Sequence, residues 1–133
     1  MTDDAFLAAV TAGREPRDHV ANLRLAWVLL ERDDRSAGRE LFAALRRRAR
    51  VTDGRIHCTR TTAWHVVVRA ARAAVPTALE FAHLLALQPE LLDRQLLDVY
   101  YEPATLADPR AAAAFVAPDR RPLPDPRAWL VAC

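Results

Sequence analysis

No lysine occurs among the 133 residues; all 19 basic side chains are arginine. A lysine-dependent aldolase or a pyridoxal enzyme would therefore lack its Schiff-base amine. Arginine-only usage also fits a GC-rich genome, so the arginines carry less functional meaning than their number suggests. Glycine is nearly as scarce, at 3 residues, and a chain otherwise rich in Ala, Leu and Arg leans toward helix. No segment alternates apolar and polar residues for long enough to argue for a strand. No apolar run approaches the roughly 18 residues of a membrane-spanning helix. The only cysteines are Cys58 and Cys133, with no secretory signal ahead of them, which predicts a reduced, cytoplasmic protein without membrane contact.

What is present fits one domain with a single core. Hydrophobic residues make up 52% and charged residues 27%, the balance of an ordinary soluble globular chain rather than a disordered one. The net charge of +2 is too small to imply nucleic acid by itself.

Apolar residues recur at helical spacing, and the expected fold class is all-α: a single compact bundle of about six or seven helices over residues 1–117, with an extended proline-rich arm over 118–133 packed on the same domain. The spacing predicts helices over Asp3–Thr11, ended by Gly13; from Asp18, as cap, to Arg32; and over Ser36–Arg50. After a turn at 52–55 a fourth helix runs from near Thr59 to Ala74, where Val75-Pro76 stops it. Thr77 caps a fifth that Pro89 ends. Shorter helices cover Glu90–Tyr101 and 109–116, the latter capped by Asp108. The arm, PDRRPLPDPRAWLVAC, holds four prolines and offers Trp129, Leu130 and Val131 for burial.

On the second helix, His19, Asn22, Leu23, Ala26, Trp27 and Leu30 share one stripe at 100° per residue. On the fourth, His57, Thr61, Trp64, Val68 and Ala71 do the same. Both segments place polar groups at the N-terminal end and a tryptophan deeper in. Packed side by side and parallel, they would enclose a polar pocket walled by Trp27 and Trp64; packed antiparallel, they would not. Such a pocket suits proton transfer, because imidazole titrates near neutral pH. The helix start favours the neutral base form of His57 and the thiolate of Cys58. The plainer alternative makes His19 and His57 capping or hydrogen-bonded core histidines and Cys58 a small packed residue.

Metal binding by His19, His57 and Cys58 lacks the usual paired spacings: no CxxC, HxxxH or HExxH occurs. A Cys–His nucleophilic pair is weaker still, since sequence neighbours at a helix start rarely face each other. His65 is expected at the surface with Thr62, Arg69 and Arg72, and His83 is read as structural. The Arg46, Arg47, Arg48 and Arg50 cluster reads as a solvated helix end, lacking interleaved aromatics and any nucleic-acid motif. Tyr100 and Tyr101 suit either the core or a pocket wall.

Three stretches together resemble a family of short bacterial proteins marked by H-x-x-H-[VL]-R-[LVI]-A-W, then Y-H-E-T-[LI]-T, then FV-x-PD-x-x-PLP. Here they read HVANLRLAW (19–27), IHCTRT (56–61) and FVAPDRRPLP (115–124), in the same order over nearly the whole chain. The chain departs from the pattern at Asn22 (His in the family), Ile56 (Tyr) and Cys58 (Glu). His19, Arg24, Trp27, His57, Thr59 and Thr61 remain. The resemblance implies a link to specialised metabolism and a Pictet–Spengler-type cyclisation, in which an aromatic amine and a carbonyl compound condense and a base removes a proton.

Two functional expectations follow. The first is a small cofactor-independent acid/base enzyme acting on an aromatic substrate, with His57 as the acid/base, His19 its partner, Asn22, Thr59 and Thr61 hydrogen-bonding groups, and Trp27 and Trp64 walls; neither metal nor organic cofactor enters. The second is a non-catalytic helical module that binds a protein or a small molecule, as a homodimer where the arm supplies the contact. A nucleic-acid role ranks below both.

Overall fold

A computed structural model of the chain describes residues 2–14, 18–52, 54–124 and 133, with the side chains of 51 and 52 excepted. The described residues are all-α: seven α-helices, two 3-10 turns and no strand. The chain separates into two compact units, Met1–Ile56 and His57–Cys133. The expected helical region over 1–117 spans parts of both units. Residues 118–124 belong to the second unit, and Trp129, Leu130 and Val131 lie outside the described residues.

In the first unit α1 (Asp3–Thr11), α2 (His19–Arg32) and α3 (Ala37–Thr52) contact one another pairwise. Their ends follow from local chemistry. The Thr2 hydroxyl accepts the Ala5 amide at 3.1 Å, and Asp18 accepts that of Ala21 at 2.8 Å, satisfying first-turn donors. Gly13 ends α1 with φ at 73°, a left-handed conformation that costs glycine nothing. Arg14 then donates to the Ala9 carbonyl and Gly13 to that of Val10, the paired bonds of a Schellman motif. Between α2 and α3 the Asp33 carboxylate accepts the Arg35 amide and the Ser36 hydroxyl, fixing the turn.

Phe6, Val10, Leu23, Trp27, Leu30, Leu41 and Phe42 are buried. The apolar part of the stripe expected on α2 is therefore present, but burial continues through Leu25, Val28 and Leu29, so this helix is buried all round over residues 25–30. Asn22 departs from expectation. It sits exposed, one turn above the buried run, and accepts a hydrogen bond from Arg48 Nη1 at 3.1 Å.

The second unit is built on α4 (Cys58–Ala74), followed by α5 (Phe81–Leu87), 3-10 turns at Pro89–Leu92 and Leu96–Val99, and the short helices α6 (Pro103–Ala107) and α7 (Pro109–Ala113). The continuous helix expected from Glu90 to Tyr101 is broken because the Asp93 carboxylate accepts the Gln95 amide at 2.9 Å, offering the backbone a turn in place of a helix. Thr77 does not cap α5, which starts four residues later and carries no side-chain cap. Pro103 opens α6, a helix the periodicity does not reveal, and Asp108 caps α7 as expected through the Arg110 amide.

Candidate functional site

Polar groups of the second unit converge on the start of α4. His57 is its N-cap: Nδ1 accepts the Arg60 amide at 3.0 Å, so in the neutral ring the proton sits on Nε2, which lies 2.9 Å from the Leu106 carbonyl as its donor. Both ring nitrogens thus bond to the chain's own backbone. Two residues on, Thr59 is fully buried, and its hydroxyl donates to the Ala114 carbonyl at 3.0 Å while accepting the Val116 amide at 3.1 Å. Its donor and one acceptor site are engaged.

The same segment is gripped a second time by Tyr101. This fully buried side chain donates from its hydroxyl to the Val116 carbonyl at 2.7 Å. Burial, with a smaller contribution from the Asp119 charge, pushes the phenol up to about 12. Asp119 in turn accepts the Glu102 amide at 2.8 Å and the Thr105 hydroxyl, bonds that together hold its carboxyl below the usual carboxylate range, the Thr105 contact contributing most. Arg120 donates to the Asp98 carbonyl at 2.8 Å and to the Glu102 carboxylate at 2.9 Å. IHCTRT and FVAPDRRPLP, about 55 residues apart in sequence, are therefore joined physically through α6, α7 and the chain between them.

The other anticipated residues divide as follows. Thr61 and Trp64 are half-buried on α4, on the stripe whose aliphatic end, Val68 and Ala71, is buried as expected. Thr62 and His65, expected at the surface, are only 3% and 2% exposed. The reason is that α4 has little free circumference: Val66, Val67 and Val68 are consecutive and all buried, which closes the arc a one-stripe projection leaves to solvent. His19, Asn22 and Trp27 belong to the first unit, where His19 is half-buried as the first residue of α2 and Trp27 is buried. Arg46, Arg47 and Arg50 are exposed, in keeping with a solvated helix end, and the Arg46 guanidinium lies 5.9 Å from the Phe42 ring centre. His83 is exposed.

The thiols correct another expectation. Cys58 and Cys133 form a disulfide, with Cα atoms 5.8 Å apart, the usual separation for such a bridge. Neither is the reduced side chain anticipated from the sequence.

A groove of about 230 Å³ lies in the first unit, with Leu7 and Leu29 as apolar wall and Arg32, Asp33, Glu40 and Arg47 as charged rim. Of the residues singled out from sequence only Arg47 lines it, and none of the expected catalytic or substrate-binding residues does. Among the described residues no three His, Cys, Asp or Glu side chains group as metal ligands, and no helix is long and apolar enough to cross a membrane.

Sequence reasoning passed over Asp119, Thr105 and the Leu106 carbonyl, and left Tyr101 undecided. The available signal was the Pro118-Asp119 pair, a carboxylate next to proline, but its partners Thr105 and Glu102 lie 14 and 17 residues away in sequence. No family model, curated protein or solved structure matches the chain.

Proposed function

We propose that this protein is a non-catalytic helical interaction module that engages a protein partner through residues 79–99. One observation carries the reading. Of the five large apolar side chains exposed among the described residues, four fall in this stretch: Leu79 (84% exposed), Leu87, Leu92 and Val99. Leu87 and Leu92 end elements that contact each other, α5 and the first 3-10 turn. Single exposed leucines are ordinary, but four exposed apolar side chains within 21 residues supply apolar area that gains from being covered. The hydrogen bonds of His57 and Thr59 support the same reading, because those groups act as internal fasteners.

The test is cross-linking in the producing cells of the wild-type chain and of a Leu79→Asp, Leu87→Asp, Leu92→Asp variant of matched folded content. The reading expects a discrete cross-linked species, a second copy of the chain included, reduced about tenfold or more in the variant. Equal yields from both proteins would contradict it.

A second reading is the acid/base enzyme of specialised metabolism acting on an aromatic substrate. It is favoured by the half-buried state of His57, Thr61 and Trp64, which leaves this stripe open at its polar end. It requires His57 to exchange its Leu106 bond for substrate. His57→Asn keeps a capping oxygen and removes the titrating ring, so unchanged turnover of an aromatic amine and carbonyl pair by that variant would eliminate this reading.

A further inference from the structure

We propose that Cys133 is a thiol-exchange modification site, taking glutathione or a similar low-molecular-weight thiol, and that Cys58 is its built-in resolving thiolate. Both sulfurs belong to the second unit, and their surroundings differ sharply. Cys58 is 1% exposed at the first position of a 17-residue helix, whereas Cys133 is exposed. An incoming thiolate must approach a disulfide sulfur directly, so access selects Cys133. The sulfur expelled is then Cys58, placed where first-turn amides and the positive end of the helix favour a thiolate. His57 occupies the Arg60 amide, and those of Cys58 and Thr59 are the other donors of that turn. Entry at the exposed cysteine and departure at the helix start act in the same direction.

The step balances without a further oxidant. A glutathione thiolate attacks Cys133 Sγ, a new sulfur–sulfur bond forms there, the Cys58–Cys133 bond breaks, and its electron pair leaves on Cys58 Sγ; the thiol's proton has already passed to solvent. The products are a mixed disulfide on Cys133 and a thiolate on Cys58. In reverse, the Cys58 thiolate attacks Cys133 Sγ and expels glutathione thiolate, restoring the bridge.

The full-length oxidised protein, held under native conditions with a mixture of reduced and oxidised glutathione, is quenched with N-ethylmaleimide and mapped by peptide mass. The expected result is glutathione on Cys133 and maleimide on Cys58, in at least about tenfold excess over the opposite pattern. Equal or reversed labelling, or exchange only after denaturation, would overturn the assignment. On removal of glutathione the wild-type adduct is expected to decay with return of the bridge, while the Cys133 adduct of a Cys58→Ser variant persists. Equal persistence in the two proteins would overturn the resolving role of Cys58.

Discussion

The imidazole of His57 caps α4 through one nitrogen and holds the carbonyl of Leu106 at 2.9 Å through the other. His57 thereby ties α6 to the start of the long helix, Thr59 ties the segment after α7 to the same helix start, and Tyr101 holds that segment from the chain before α6. The residues that make this part of the sequence look reactive are the residues that hold it together.

Removing the fastener therefore affects stability. His57→Ala abolishes a cap and a long-range hydrogen bond and is expected to cost about 2 kcal/mol, while His57→Asn, which restores the cap alone, recovers about half of that. Urea unfolding of the three proteins side by side measures it. Equal stability of wild type and His57→Ala would contradict the role.

Thr59→Val leaves the Ala114 carbonyl and the Val116 amide facing a methyl group inside the protein. The expected loss is about 2–3 kcal/mol, against less than about 1 kcal/mol for Thr59→Ser, which keeps the hydroxyl. Chemical denaturation distinguishes the two, because valine matches threonine in shape but lacks both bonds.

The alkaline limb of stability is expected to report Tyr101. Its ordinary value is 10.0 and the folded value about 12, so between these pH values the unfolded chain binds fewer protons than the folded one, and stability falls as pH rises. Tyr101→Phe is expected to flatten that fall while losing about 1 kcal/mol at neutral pH with the Val116 bond. At the acid end Asp119 has the opposite sign: its depressed folded value gives stability that is full above the ordinary 3.8 and lost as pH falls through the lower folded value. Asp119→Asn should weaken that acid transition, read from thermal melts across the range.

Much of the fold was legible because it depends on local chemistry. Asp18, Asp108 and Gly13 announce helix ends by side-chain and backbone preferences that need no partner, and Leu23, Trp27 and Leu30 announce a buried face by spacing alone. The misreadings required knowledge from elsewhere in the chain. His65 and Thr62 occupy an arc that periodicity assigns to water, and only the burial of Val66, Val67 and Val68 around them shows otherwise. The role of Thr59 depended on two backbone groups at 114 and 116 that have no side-chain signature. The pairing of Cys58 with Cys133 spans 75 residues, a distance over which spacing specifies nothing.

Reduction of that pair is expected to lower stability by about 2–4 kcal/mol, as for a bridge closing a long loop. Denaturation of the oxidised protein with and without a dithiol reductant checks the magnitude. Identical curves would mean that the bridge constrains little of the unfolded chain.

The most direct test of the central claim, that the polar head of α4 is a fastener, is the tautomer of His57 in long-range proton–nitrogen NMR spectra of the native protein at neutral pH. The account predicts that the neutral ring is a single tautomer with its proton on Nε2, donated to Leu106, and Nδ1 accepting from Arg60. A proton on Nδ1, or a freely exchanging mixture of the two forms, would contradict it.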